Sequence, residues 1–203
     1  MDEKIVLDIV ELEWEMFSDV NNMGGKASCQ EDFMTFKIMR ASQAEAWSVE
    51  LLRSYYDDLL QAKSQNRNLM TEKYARMMES TFPEEYKRFV NLLPVVDKKT
   101  LDQIERIIEI NLKWKIETAD KYPNLTNRGR VIYTKEDSMN STSFETYLRG
   151  ELRTYSSNTI QLYYEMMLDY SKKGENIEEV YLENTVKKYG YESLEKAEKY
   201  YAQ

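Results

Sequence analysis

Residues 3–20, EKIVLDIVELEWEMFSDV, carry apolar side chains at the spacing of an α-helix. Side chains that recur every three or four positions share one face, because an α-helix turns once in about 3.6 residues. The apolar face consists of Ile5, Val6, Ile9, Val10, Leu12, Met16, Phe17 and Val20. The opposite face consists of Asp8, Glu11, Glu15 and Ser18. The stretch predicts an amphipathic helix that ends at the Asn and Gly residues of 21–25, since both tolerate a left-handed backbone.

The rest of the chain repeats this helical periodicity, and no segment shows the strict alternation of a strand. Further helices are predicted over residues 31–46, 49–64, 71–79, 98–120, 143–155, 157–172, 177–189 and 193–200, with a short one that starts at Pro83. Ser28, Asp97 and Ser193 are candidate caps for the helices that follow them, and Thr142 with Glu145 matches a capping box. The sequence therefore predicts an all-α fold, residues 1–203, of about eight to ten helices in one globular bundle.

The two halves of the chain resemble each other. An ungapped shift of 108 residues aligns residues 36–86 with 144–194, so that the tyrosine pairs at 55–56 and 163–164 coincide. The helix before each segment aligns at a shift of 98, which places IVELEW over IIEINL. This pattern predicts an internal duplication, residues 1–93 and 98–203, packed as two pseudo-twofold-related halves. Chance similarity between amphipathic helices is the alternative explanation.

The composition narrows the possible functions. The 203 residues carry a formal net charge of −8, no His and one Cys. The lack of His excludes imidazole-based dyads and triads and His-ligated zinc, and one Cys cannot form an internal disulfide. The acidic balance argues against nucleic-acid binding. No apolar run is long enough to span a membrane, and the acidic N-terminal stretch does not match a signal peptide, so we expect a cytoplasmic protein.

The loop at 21–30 has features of an anion site. Its glycines would let backbone amides approach a ligand, and a basic side chain would add positive charge. The candidate ligand-binding residues are Asn22, Gly24, Gly25, Lys26 and Ser28. The spacing matches no established phosphate-binding loop, and a helix end followed by a helix cap is the alternative.

A second loop, residues 127–130, places two arginines around a glycine. Guanidinium groups bind phosphates and carboxylates through two parallel hydrogen bonds, so Arg128 and Arg130 are candidate ligand-binding residues. A solvated loop that aids solubility is the alternative. Because each loop follows the first helix of its half, the duplication would let both face one cleft.

Three polar residues occupy predicted apolar helix faces. Arg40 and Gln43 share a face with Phe36 and Trp47, and Glu151 is the shifted counterpart of Gln43. Buried charges are normally paired or line a cavity. We therefore expect an ion pair between Arg40 and Glu151 across the pseudo-twofold axis, and a ligand pocket beneath the two loops is the alternative.

Three other features have ordinary structural explanations. Glu11 and Glu15, with Glu109 aligned to Glu11, could form an oxygen-ligated Mg²⁺ or Mn²⁺ site, but a solvated acidic face is expected. Cys29 has no His partner and is expected to be an idle or packed thiol. The sixteen Tyr residues are expected in core layers, since their acidic neighbours would repel phosphates. No cofactor or metal is predicted.

Four peptides together resemble a known family, the bacterial domain-of-unknown-function family 4125. They are LEWEMFSDVNNMGGKASCQEDFMTFKIMR at 12–40, NLMTEKYARMMEST at 68–81, STSFETYLRGEL at 141–152 and ENTVKKYGYESLEKAE at 183–198. The resemblance covers the full chain. It implies a helical cytoplasmic domain, and it supplies no activity, cofactor or catalytic residue to transfer.

These observations favour a non-catalytic binding or regulatory domain for a small anionic ligand or a protein partner. An enzyme of phosphate- or nucleotide-like substrates, with Lys26, Arg128 and Arg130 supplying charge, is one alternative. A structural homodimeric interaction module is the other. The protein is expected to be a monomer or a homodimer that binds neither nucleic acid nor membrane.

Overall fold

The computed structural model describes residues 3–21, 25–127 and 129–202. These residues form eleven α-helices and no strand. The helices are α1 Glu3–Ser18, α2 Phe33–Ala44, α3 Val49–Ser64, α4 Leu69–Thr81, α5 Pro83–Phe89, α6 Lys98–Lys121, α7 Pro123–Thr126, α8 Phe144–Leu152, α9 Ser157–Lys173, α10 Ile177–Lys188 and α11 Leu194–Tyr201. The predicted all-α fold is confirmed. The one helix that the sequence pattern missed is α7, because a single turn is too short to show periodicity.

Polar side chains placed just before the first helical residue determine where most helices begin. The Asp97 carboxylate accepts a hydrogen bond from Thr100 N over 3.0 Å at the start of α6, as predicted. Ser193 caps α11 in the same way through Lys196 N, also as predicted. Each such bond satisfies one of the amides that the first turn leaves without a partner.

Two predicted caps are wrong by a few residues. Ser28 does not cap α2, because it begins a separate 3₁₀ turn and Asp32 accepts the hydrogen bond from Thr35 N. Thr142 does not cap α8, because Ser143 accepts from Thr146 N instead. In both cases the capping side chain is the one directly before the first helical residue.

The main core is shared by both halves of the chain. It joins fully buried residues of α1, α3, α6 and α9, including Ile9, Leu51, Ile104 and Ile160. A small second cluster around Tyr122 and Leu194 attaches α7 and α11. Within the described residues, no helix combines the length and apolar character needed to cross a bilayer.

The helices of the two halves pack in corresponding ways. Helix α1 packs on α2, α3 and α4, and α6 packs correspondingly on α8, α9 and α10. Helix α2 also packs on α10, α8 packs on α4, and α3 packs on α9.

Two asparagines form equivalent hydrogen bonds in the two halves. Asn68 Nδ2 donates to the carbonyl of Met16 over 2.7 Å, and Asn176 Nδ2 donates to the carbonyl of Trp114 over 3.1 Å. These pairs have the same offsets, 108 and 98, as the sequence alignment. They agree with the internal duplication, which stays a prediction.

Candidate functional site beneath two loops

The centre of the bundle holds a carboxylate of α1 that faces a guanidinium of α2. Glu13 lies one turn after Ile9 on the apolar face of α1 and is fully buried. Arg40 Nε donates to Glu13 Oε2 over 2.7 Å, and Arg40 Nη2 donates to Glu13 Oε1. The Tyr55 hydroxyl also donates to Oε1, over 2.6 Å. Glu13 thus forms a two-point ion pair with Arg40, the geometry that the planar guanidinium favours.

A second carboxylate, Glu151 of α8, reaches the same guanidinium from the other half of the chain. Arg40 Nη2 donates to Glu151 Oε1 over 2.9 Å, and Lys73 Nζ of α4 donates to Oε2 over 2.5 Å. The Tyr155 hydroxyl donates to Oε1 over 2.8 Å, while Gln43 Oε1 accepts from Arg40 Nη1 over 2.8 Å. The predicted ion pair between Arg40 and Glu151 is confirmed.

We call Glu13, Arg40, Lys73 and Glu151 the ionic cluster. Its two negative and two positive charges cancel, and none of the four residues is more than 8% exposed. Burial alone would raise the pKa of Glu151, but Arg40 and Lys73 outweigh it and hold that pKa far below its usual value. Burial lowers the pKa of Lys73, and Glu151 opposes this effect. Complete pairing is what makes such a buried group of charges tolerable.

Tyr147 of α8 connects the ionic cluster with the surface. Lys73 Nζ lies 3.4 Å from the centroid of the Tyr147 ring, and the guanidinium carbon of Arg130 lies 4.6 Å from the same centroid. Arg130 itself is exposed and donates from Nη1 to the carbonyl of Thr142 over 3.2 Å. Two cations therefore share one ring, which concentrates positive charge at the outer end of the cluster.

Tyr74 of α4 is close to both predicted loops. Burial raises the pKa of Tyr74 to about 12, and the groups that act on it electrostatically include Tyr147, Lys73, Cys29 and Arg130. Cys29 belongs to the first loop and Arg130 to the second. One residue of each loop is therefore within electrostatic range of Tyr74.

Each loop is held by a polar side chain that bonds to backbone groups. Gln30 Nε2 donates to the carbonyls of Phe17 and Val20, both over 2.9 Å, while its Oε1 accepts from Ala27 N. Asp137 accepts from Ser143 N over 2.6 Å, which fixes the second loop to the start of α8. These anchors give both loops a defined position relative to the bundle.

The structure brings some of the candidate residues together. Arg40, Gln43 and Glu151 form one hydrogen-bonded group, and Arg130 stacks on Tyr147 above it. The alternative of an open ligand pocket at Arg40 and Glu151 finds no support in this geometry, because the donors and acceptors there already bond to one another.

The remaining candidates lie on the first loop or outside the described residues. Gly25, Lys26 and Ser28 are exposed, and the left-handed backbone of Gly25, φ 88°, requires glycine. The candidates outside the described residues are Asn22, Gly24 and Arg128.

The carboxylates and Cys29 agree with their ordinary explanations, and the tyrosines agree in part, since Tyr55 and Tyr163 are buried in the core while Tyr189 and Tyr200 are exposed. Glu11 is exposed, and Glu15 Oε2 accepts from Lys63 Nζ over 2.6 Å. Among the described residues, no group of three or more Asp, Glu or Cys side chains is arranged to hold a metal ion. Cys29 is an exposed free thiol.

Two of the four residues of the ionic cluster, Glu13 and Lys73, are not among the residues predicted from the sequence. Glu13 lies on the same face as Ile9 and Phe17, so its place in the apolar stripe of α1 was a usable signal. Lys73 lies one turn after Leu69 and one turn before Met77, which are both buried, and this pattern was a second signal. The ring contacts of Tyr147 depend on how α8 packs on α4, and no local pattern reveals them.

Fold and site together define an all-α domain with a neutral ionic cluster at its centre and two loops above it. A family model described as "Protein of unknown function (DUF4125)" matches residues 3–199. The chain belongs to this family, which confirms the resemblance seen in the four peptides. No curated protein and no solved structure matches the chain.

Proposed function

We propose that this protein is a cytoplasmic, non-catalytic binding domain for a small anionic ligand. The ligand would lie between the loops at 25–30 and 129–130, against Tyr74 and Tyr147. The observation that carries the proposal is the guanidinium of Arg130, which stacks 4.6 Å from the Tyr147 centroid. Among the described residues, no carboxylate lies within ion-pair distance of Arg130. A carboxylate or phosphate could therefore bind this guanidinium without competing with an internal carboxylate.

The ionic cluster supports binding at this place. Because its four charges cancel, the cluster adds no net repulsion for an anion above it. Lys73 Nζ lies 3.4 Å from the Tyr147 centroid, so a cation of the cluster faces this ring beneath the proposed ligand. Lys26 of the first loop is exposed and would supply a further positive charge.

The same geometry makes binding a better proposal than catalysis. A general base needs a carboxylate or amine that is free to accept a proton from the substrate. In the cluster, Glu13 accepts from Arg40 and Tyr55, and Glu151 accepts from Arg40, Lys73 and Tyr155. Both carboxylates are saturated by internal donors, so an enzyme of phosphate- or nucleotide-like substrates is the weaker alternative.

A thermal-shift panel tests the proposal. The probes are inorganic phosphate, nucleoside mono- and triphosphates and di- and tricarboxylates, each with and without Mg²⁺ at constant ionic strength. A ligand present at about 100 times its Kd stabilises by about 2.7 kcal/mol, which should raise the Tm of a domain of this size by roughly 5–10 °C. Arg130→Ala should abolish the shift with the di- and tricarboxylates and reduce the shift with the phosphates, while Arg106→Ala, a change of an exposed arginine of α6, should keep both.

Two outcomes would contradict the proposal. One is a wild-type protein that none of the probes stabilises, and the other is an Arg130→Ala variant that responds like the wild type. Size-exclusion chromatography of the same samples addresses the alternative of a structural homodimer. A stable dimer with no response to any probe would favour that alternative.

A further inference from the structure

A groove on another side of the bundle has a volume of about 270 Å³. It lies where the loop after α3, the linker between α5 and α6 and the turn before α9 meet. Its lining includes Arg67, Pro94, Asp97, Arg153 and Ser156. None of the loop residues proposed above belongs to it.

Behind one wall of this groove lies a buried guanidinium that forms no ion pair. The buried charged side chains of the described residues are Glu13, Arg40, Glu72, Lys73, Arg76, Glu151 and Glu178. All of them except Arg76 form an ion pair. Arg76 is 7% exposed, and its Nη2 donates to the carbonyl of Pro94 in the groove wall over 2.7 Å. Its Nε is buried and has no hydrogen-bond partner.

Two further guanidiniums lie near Arg76 and line the groove. Burial lowers the pKa of Arg76, Tyr86 and Glu72 oppose this effect, and the positive charges of Arg153 and Arg67 add to it. Arg153 also has a buried Nε without a hydrogen-bond partner. A buried charge that lacks a partner costs several kcal/mol, so an arrangement of this kind is stabilised when an anion is bound.

The acidic groups around the groove are already occupied. Glu72 accepts from both Nε and Nη2 of Arg67 over 2.8 Å, and Glu79 accepts from Arg153 Nη1 over 2.5 Å. Asp58 accepts from Ser156 N over 2.9 Å at the start of α9. Asp97 accepts from Thr100 N and Oγ1 at the start of α6. The carboxylates are thus engaged by internal donors, while Nε of Arg76 and Nε of Arg153 have no hydrogen-bond partner.

We propose that this groove binds a phosphoryl group, with Arg67 and Arg153 in its lining and Arg76 as the guanidinium without an ion pair behind Pro94. A tetrahedral oxyanion suits the site better than a carboxylate, because it can accept from donors that converge from several directions. Ser156 and Ser157 at the start of α9 also line the groove, and Asp58 occupies the backbone N–H of Ser156. The groove exceeds the size of a bare phosphate, which leaves space for a small organic group attached to it.

Isothermal titration with inorganic phosphate, and separately with a sugar phosphate, tests the proposal. The experiment uses the Arg130→Ala variant as its background, so that the anion site proposed between the loops does not contribute. Binding of either probe is expected, and Arg76→Met and Arg153→Gln should each weaken it at least 10-fold. Arg106→Met is the matched control and should bind like the background protein. Tighter binding of the sugar phosphate would identify an organic phosphate as the ligand, and equal binding would identify free phosphate.

A stability measurement separates a binding role of Arg76 from a structural one. If the role of Arg76 is to bind an anion, Arg76→Met in phosphate-free buffer should have a Tm equal to or above that of the background protein. If Arg76 is structural only, the variant should lose the same stability at every phosphate concentration and bind phosphate with unchanged affinity, which would overturn the proposal. Should Arg76→Met fail to fold, Arg67→Gln and Arg153→Gln carry the test, and unchanged affinity in both would overturn it. Because the background lacks Arg130, failure here leaves the proposed function intact.

Discussion

Arg40 Nη2 lies 2.9 Å from Oε1 of Glu151, a residue 111 positions further along the chain. The same guanidinium also binds Glu13 of α1, so it bridges carboxylates from the two halves. Arg40 is therefore the residue on which the neutrality of the ionic cluster depends. Removal of its charge would leave two buried carboxylates with one remaining cation, Lys73.

Arg40→Met should destabilise the protein by about 3–5 kcal/mol, the usual effect of breaking a buried ion pair by removing one partner. Methionine keeps much of the volume of the side chain, so lost charge pairing rather than a cavity would cause the effect. Urea unfolding followed by circular dichroism measures the change. The exposed Arg106→Met should stay within about 0.5 kcal/mol of the wild type. An Arg40→Met variant that is as stable as this control would show that the cluster contributes nothing to folding.

Alkaline pH should unfold the protein from about pH 10 upward. Burial raises the pKa of Tyr74 and of Tyr147 from about 10 to about 12. A group whose pKa is raised by folding contributes stability that is present below its unfolded pKa and is lost as the pH rises through its folded pKa. The loss therefore falls between about pH 10 and pH 12. Lys73 acts in the opposite direction. Burial lowers its pKa, which destabilises the folded protein at neutral pH, and this destabilisation is relieved as the pH rises toward the ordinary pKa of lysine.

Tyrosinate absorbance and far-ultraviolet circular dichroism, recorded across this pH range, check the alkaline prediction. The buried tyrosines should ionise together with unfolding rather than before it. Tyr147→Phe should make the loss of stability with pH shallower, while Tyr200→Phe, which changes a side chain that is 61% exposed, should leave it unchanged. Ionisation of all tyrosines near pH 10 with the fold intact would contradict the assigned burial.

Gly150 allows α8 to approach α4 closely. A Cβ at this position would lie 2.9 Å from Met77 Cγ and 3.0 Å from the carbonyl oxygen of Lys73. Gly150→Ala should destabilise by about 1–3 kcal/mol, because relief requires α4 to move and α4 carries Lys73. The better helix propensity of alanine offsets about 0.5–1 kcal/mol of this.

A double-mutant cycle with Met77→Ala isolates the steric effect of Gly150→Ala. Removal of the Met77 side chain relieves one of the two close contacts, so the two changes should be less than additive in urea unfolding. Strict additivity, or an alanine variant more stable than the wild type, would mean that α8 can shift away from α4 without loss.

The helices were predictable because the signals that specify them are local. Periodicity gave Val49–Ser64 with its bounds as observed, and a side chain next to the helix start identified Asp97. The partner of Arg40 was also predictable, since both Arg40 and Glu151 interrupt apolar faces. Glu13 was harder to recognise, because Glu11 and Glu15 flank it and make the segment look like an acidic surface.

The rest of the site depends on packing between distant segments. Whether Lys73 is buried is decided by α8, which lies on α4 where Gly150 permits close contact. The place of Arg130 above Tyr147 depends on the path of the loop before α8, which Asp137 fixes through Ser143 and Thr146. Such contacts join residues that no short sequence window contains together.

The interleaved packing of the two halves can be tested by cutting the chain in the linker between α5 and α6. Helix α2 of the first half packs on α10 of the second, and α8 of the second half packs on α4 of the first. Each half would therefore expose a large apolar surface if it were isolated. Fragments 1–93 and 98–203, produced separately, should be poorly folded alone and should form a helical 1:1 complex when they are refolded together. Circular dichroism and size-exclusion chromatography with light scattering measure both properties.

Asn68→Ala and Asn176→Ala, introduced one at a time, should weaken the complex by similar amounts of about 1 kcal/mol. Each change removes a helix cap and a hydrogen bond to the carbonyl of Met16 or Trp114. A half that unfolds cooperatively as a monomer would contradict the interleaved arrangement, because its core would then be complete without its counterpart.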